Sequence, residues 1–157
     1  MNIIAAIDEN NGIGKNNALL THIPDDMKFF KEKTTNNIVI MGRKTLESFP
    51  NQKALPNRIN IVISSQILNI DNAICVRSIN EAIDVANRIG KEIFIIGGAS
   101  IYKQFIDKCD TLYITKIYKN FDADTFFPMI NNDWNKEKLS DVKEYNGTQY
   151  QFLKYTK

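Results

Sequence analysis

At 157 residues the chain has room for one hydrophobic core and is too short for two comfortable domains. Hydrophobic residues at 43% and charged residues at 24% argue against disorder or a fibrous repeat, and a net charge of +2 carried by scattered lysines argues against nucleic acid. Cys75, Cys109 and the sole histidine, His22, match no metal-ligand spacing, so no metal is expected, and free thiols without a leader-like or membrane-length apolar run point to the cytoplasm.

Residues 3–7 read as a buried first strand. Residues 8–23 are rich in Asn and Gly and show no period, which predicts a long loop of the kind that usually carries function. Within it Gly12-Ile13-Gly14-Lys15 is not the end of a P-loop, because Glu9 and Asn16 stand where that motif needs Gly and Ser or Thr. No G-x-G-x-x-G follows the first strand either, so any dinucleotide must be bound in another way. Pro24 suits a first helical position, Asp25 and Asp26 suit the positive end of the helix dipole, and the helix should run to about Lys33. Asp26 has a second reading: it shares a helix face with Phe29 and Phe30, which places a carboxylate beside aromatic surface. A ligand with an amidine-like pair of N–H donors would satisfy it through two charge-assisted bonds.

The strand 38–41 then stops at Gly42 and gives way to Arg43, Lys44 and Thr45. A second strand, 92–96, stops in the same manner at Gly97-Gly98 before Ala99 and Ser100. Ligands in open α/β sheets bind beyond the carboxyl ends of strands, where helix N-termini attract anions, so this pair of junctions suggests a phosphate-bearing cofactor. Between them, residues 44–49 form a short helix, Pro50 to Pro56 a loop, and 59–63 and 73–76 two strands. Ser78-Ile79-Asn80-Glu81 is a capping box opening a helix with apolar positions Ile79, Ala82, Ile83, Ala86 and Ile89. A helix carrying Ile101, Tyr102, Phe105 and Ile106 and a strand at 112–117 complete the alternating pattern. Asn146-Gly147 between 136–143 and 148–155 predicts an antiparallel hairpin, making the sheet mixed and mostly parallel.

The whole chain resembles dihydrofolate reductase of the bacterial type. The likeness is carried by Ile4-Ala5-Ala6, Gly14, Asn17-Ala18, Ile23-Pro24-x-Asp26, Phe30, Met41-Gly42-Arg43-Lys44-Thr45, Glu47-Ser48 and Leu55-Pro56-Asn57-Arg58. It continues through Ser64-Ser65, Ile96-Gly97-Gly98, Tyr102, Tyr113-x-Thr115 and Asp124-Thr125-x-Phe127-Pro128, in that order. It implies an α/β fold with an eight-stranded, mostly parallel twisted sheet, flanking helices and a C-terminal antiparallel hairpin, acting as a monomer. It also implies reduction of dihydrofolate by NADPH, with Asp26 holding the pterin ring and Thr115 backing the carboxylate through its hydroxyl. Ile4, Ala6, Met27 and Phe30 would line the pterin pocket, Leu55 would meet the p-aminobenzoyl group and Arg58 the glutamate tail. Toward the cofactor it implies Ala5, Ile13, Gly14, Asn17, Ala18 and Leu19 from the first strand and its loop. Arg43, Lys44 and Thr45 would serve its phosphates, with Ser65 and Arg77 beside the adenosine 2′-phosphate; Gly42, Ser64, Ile96, Gly97, Gly98, Ala99, Ser100 and Ile101 would also bind the cofactor, and Tyr102 would lie near the nicotinamide. The Gly97-Gly98 peptide should be cis, and residues 8–23 should form a lid that Asp124 helps to close. The chain departs from the family's habit at Leu20 and Thr21, where proline and a water-ordering tryptophan are common, and at Ser100, where many relatives carry arginine. A pyrimidine reductase of the riboflavin pathway would share fold and cofactor but lack the Asp26 and Arg58 pair, and a noncatalytic nucleotide-binding protein would keep the glycines but lose the pterin residues.

Overall fold

Runs of isoleucine and valine buried on both faces build the centre of the sheet. Burying one such side chain is worth about 1.5–3 kcal/mol, more than the spread of roughly 1 kcal/mol in strand propensity, so burial decides where these strands lie. The computed structural model describes residues 1–157. In chain order it has β1 (Asn2–Ile7), β2 (Gly12–Gly14), α1 (Pro24–Thr34), β3 (Ile38–Gly42) and α2 (Arg43–Glu47). Next come β4 (Ile59–Ile63), β5 (Ala73–Val76), α3 (Ile79–Ile89), β6 (Ile93–Gly97), α4 (Ala99–Phe105) and β7 (Thr111–Ile117). The chain continues with β8 (Thr125–Phe126), β9 (Asn135–Lys138), β10 (Lys143–Tyr145) and β11 (Thr148–Thr156). No helix is long and apolar enough to cross a membrane.

The main sheet runs β10-β11-β7-β1-β6-β3-β4-β5, and its six central and distal strands, β7 through β5 in that order, are parallel. Antiparallel β11 joins at β7. Side chains alternate between faces. Ile3, Ile40, Ile95 and Ile114 meet Ala82 and Ala86 of α3 and Phe105 of α4, while Ile4, Val39, Met41 and Phe94 meet Phe29 and Phe30 of α1 and Leu46 of α2. The connections after β1 and β3 therefore lead to one face and the connection after β6 to the other. That divergence is a topological switch point, located at the carboxyl ends of β1, β6 and β3.

Three details differ from the sequence-based expectation. The sheet has nine strands rather than eight, because the expected strand at 136–143 is two strands, β9 and β10, both paired with β11. Ser140 sits between them, its Oγ accepting from the Phe152 amide (3.1 Å) and its carbonyl from Gln151 Nε2 (2.9 Å), so side chains take the place of ladder bonds. The long loop after β1 contains β2, paired with β8 in a separate two-stranded ribbon too short to show a period. In the capping box, Ser78 Oγ accepts from the Glu81 amide (3.1 Å) as expected, but Glu81 reaches back to the amide of Arg77 (2.9 Å), one residue before the cap. Gly90 closes α3 at a φ of 78°.

Candidate active site

Asp25 and Asp26 both lie in the first turn of α1, yet their surroundings set them apart. Asp25 Oδ2 accepts from the Tyr150 hydroxyl (2.9 Å) and the Lys143 ammonium (3.1 Å). Burial alone would raise its carboxyl, but these bonds outweigh that and hold it below the usual carboxylate value. Asp26 faces the sheet instead, where Thr115 Oγ1 donates to its Oδ1 at 2.6 Å. Register explains the meeting: Ala6, Thr115 and Phe152 are partners across β1, β7 and β11, and Phe29, three residues after Asp26, packs on Phe152 at 4.5 Å between ring centroids. Desolvation raises the Asp26 carboxyl above its usual value, more than the Thr115 bond lowers it, and neighbouring Asp25 adds to the rise. Adjacent in the chain, the two acids therefore sit in opposite electrostatic settings. Only Thr115 serves Asp26, and no fully buried side-chain polar atom in the molecule lacks a partner, so Oδ2 opens toward accessible space.

Of the residues expected to line the pterin pocket, Ala6 pairs with Thr115 across β1 and β7, Ile4 and Phe30 share an apolar cluster, and Met27, next to Asp26 in the chain, is 43% exposed. Leu55 borders the same apolar cluster as Phe30. Its backbone is held by Asn60, a buried residue that sequence reasoning passed over: Asn60 Oδ1 accepts from the Leu55 amide (3.0 Å) and Nδ2 donates to the carbonyls of Leu55 (2.9 Å) and Arg58 (3.1 Å). An asparagine inside a strand gives no local cue, since its partners lie in the preceding loop. Arg58 is held in place by Nε donating to the Pro56 carbonyl (2.9 Å) and Nη1 to Thr34 Oγ1 (3.2 Å), with its guanidinium 5.9 Å from the Phe30 ring centre. Desolvation lowers its pKa, yet a guanidinium stays charged, and its remaining N–H donors are without protein partners.

The two glycine junctions converge. β3 and β6 are parallel neighbours with Met41 opposite Gly97, so Gly42 and Gly97-Gly98 end side by side. The Gly97-Gly98 peptide is cis, and Gly97 has a φ of 115°, which only glycine adopts readily. A Cβ on Gly97 would stand 3.1 Å from the Tyr102 hydroxyl, and one on Gly42 would stand 3.2 Å from Ile101 Cγ1. Tyr102 in turn donates to the Ile4 carbonyl (3.0 Å) and packs on Phe127, tying α4 to β1. Burial raises its phenol far above the usual range, so it remains a donor. Gly42 and Gly98 cap α2 and α4 without any side-chain bond. Thr45 lies close by, its Oγ1 3.6 Å from a Cβ placed on Gly98. Lys44 is exposed, and Arg43 pairs with Glu47 one turn on. Beyond β4, Ser64 Oγ is occupied by the Gln66 amide (3.1 Å), while the Ser65 carbonyl accepts from Arg77 (3.2 Å). Ser100 Oγ accepts from Gln104 (3.0 Å). Backbone bare of side chains, uncapped helix starts and the cations Arg43, Lys44 and Arg77 along one sheet edge fit the phosphates of a dinucleotide.

The segment after β1 brings Ile13 and Gly14 in on β2, with Ile13 and Ala5 both half-buried against the main core. Lys15 and Ala18 exchange backbone bonds (3.1 and 3.0 Å), and Asn17, Ala18 and Leu19 are exposed, Leu19 to 68%. Asp124 Oδ2 accepts from the Asn16 amide (2.9 Å). Asp8, a second residue overlooked in the sequence, is fully buried at the base of this segment.

The chain is similar to known proteins along its whole length. The family model described as dihydrofolate reductase matches residues 1–157. Dihydrofolate reductase of Haemophilus influenzae is 39% identical over 99% of this chain and 97% of its own length. The corresponding proteins of Bacillus subtilis (37%, covering 100% and 94%) and Schistosoma mansoni (38%, covering 99% and 95%) are similarly close. Matched along its full length by the family model and by these relatives, the chain belongs to the dihydrofolate reductase family, whose members reduce dihydrofolate to tetrahydrofolate with NADPH.

Proposed function

We propose that Asp26 is the residue on which the reaction turns, binding the 2-amino group and N3 of the dihydrofolate pterin through both carboxylate oxygens and biasing the ring toward protonation at N5. The observation that carries this is its geometry: one oxygen fixed by Thr115, the other open, in a desolvated setting with its neighbour Asp25 already committed elsewhere. NADPH, when bound, supplies the hydride that reduces C6. Gly42, Thr45, Gly97 and Gly98 let the backbone approach that cofactor, Tyr102 fixes α4 against β1, and Ile4, Ala6, Met27 and Phe30 hold the pterin flat and exclude water. Leu55 packs on the p-aminobenzoyl group and Arg58 grips the glutamate tail. Arg43, Lys44, Ser64, Ser65 and Arg77 serve the cofactor phosphates, while Ala5, Ile13, Gly14, Asn17, Ala18, Leu19, Ile96, Ala99, Ser100 and Ile101 border the rest of it. The reading extends to a cytoplasmic monomer feeding one-carbon metabolism.

Mixing the pure protein with NADPH and dihydrofolate and following nicotinamide absorbance tests the reaction directly. Loss of absorbance that requires dihydrofolate is expected, and none would overturn the reading. Arg43 gives a second test. Its pairing with Glu47 aims the guanidinium along α2, and Arg43→Ala should weaken NADPH by about 1.5–3 kcal/mol, the scale of a bond to a charged group, with a smaller loss for NADH. Equal rises in KM for the two cofactors would show that Arg43 does not read the 2′-phosphate.

A further inference from the structure

The segment after β1 is joined to the 119–127 loop at three levels, and the joints differ in kind. At the base, Asp8 is 0% exposed: its Oδ1 accepts from the amides of Asn10 (2.8 Å) and Gly12 (2.7 Å), and its Oδ2 accepts from the amide of Phe121 (3.2 Å). In the middle lies the β2–β8 ribbon. At the tip, Asp124 bonds the Asn16 amide where both residues are exposed. Bonds to an ionised carboxylate are roughly twice as strong as neutral ones and gain further in a low-dielectric interior, whereas an exposed bond competes with water. Contact reinforces the base as well, since a Cβ on Gly12 would fall 2.4 Å from Ala123 Cβ and 2.8 Å from Asp8 Oδ2. Just past the ribbon, Asn16 and Asn17 hold φ values of 52° and 59°, so the chain reverses there without any buried anchor.

We propose that Asp8 is a positioning residue for the reductase reaction: its buried carboxylate locks residues 8–14 onto the 119–127 loop, so that Ile13 and Gly14 present a fixed edge to the nicotinamide. Only the stretch from Lys15 to Ile23 then opens and closes. The inference rests on the reading of this segment as the cofactor's cover, and it moves the hinge inside that segment, to Lys15 and Asn16, rather than to its start. Asp8 touches neither substrate nor cofactor and acts through Gly12 on the two residues that follow.

Native-state hydrogen exchange on the unaltered protein tests the lock without any variant. The amides of Gly12 and Phe121 should exchange on the order of 100-fold more slowly than that of Asn16, as expected for a cooperative unit beside a frayed one. Comparable rates would overturn the proposal. Asp8→Asn keeps the shape but turns an amide N–H toward N–H donors. It should raise the KM for NADPH severalfold and enlarge the kinetic isotope effect with deuterated NADPH, because a displaced edge slows hydride transfer. Asp124→Ala should free the Asn16 amide yet leave Gly12 protected. A lower melting temperature in Asp8→Asn with wild-type KM and isotope effect would reduce Asp8 to a structural staple and refute the positioning role. Failure of the unaltered protein to oxidise NADPH with dihydrofolate would refute the reaction itself, whatever the exchange pattern.

Discussion

Asp26→Asn should slow turnover at neutral pH by roughly 10²-fold or more, the scale lost when a charge-assisted bond to a reacting group is removed. The substitution is close to isosteric, and the Asn oxygen can still accept from Thr115, so the fold should survive. Stability should even rise. Desolvation raises the Asp26 carboxyl in the folded protein, so between its unfolded and folded pKa values the native state binds the proton more tightly, and stability falls as pH climbs through that window. Asparagine has no such dependence. Melting temperatures of the two proteins should therefore differ most at neutral pH, in favour of the variant, and converge in acid. A gap independent of pH would show that Asp26 is not held ionised against its surroundings, and an unaffected rate would remove it from the reaction.

Arg58→Leu should weaken dihydrofolate binding by about 1.5–3 kcal/mol, since a planar guanidinium and a carboxylate form paired charge-assisted bonds that no aliphatic side chain replaces. Much of the cost of ordering the side chain is met before ligand arrives, because Pro56 and Thr34 already fix Nε and Nη1. Leucine would also leave the ring of Phe30 without its cation and Thr34 Oγ1 without its donor, although that hydroxyl still donates to the Phe30 carbonyl. A pterin lacking the glutamate tail supplies the control. If its affinity falls as far as that of dihydrofolate, Arg58 acts on the pocket walls and not on the tail.

Strands β1, β3, β4 and β6 are legible in the sequence because they are parallel, buried on both faces and therefore apolar almost throughout, Asn2 and Asn60 being the polar exceptions. Their order in the sheet is not, and the meeting of Gly42 with Gly97 depends on β6 inserting between β1 and β3. The same limit applies to the site. Spacing along α1 marks Asp26 as unusual, but its tie to Thr115 spans 89 residues and is visible in sequence only through resemblance to a family. Asp8 and Asn60 give no signal at all: each is a polar side chain whose partners are backbone groups, and backbone groups have no sequence identity. Ser140 breaks the expected strand at 136–143 for a related reason, since a hydroxyl that can stand in for a carbonyl becomes a strand interruption only when β11 is beside it.

The seat of α1 on β11 bears on how the enzyme is made. Tyr150 grips Asp25 and Phe152 carries Phe29, and the first of these pairs joins residues 125 apart in the chain. On the ribosome the acid-bearing helix thus emerges long before the strand that orients it, and closing so large a loop comes late in folding. A nascent or refolding chain should gain its helices and its β3–β4 pairing first and acquire affinity for a folate only as the final step, which makes ligand capture a reporter of completed assembly.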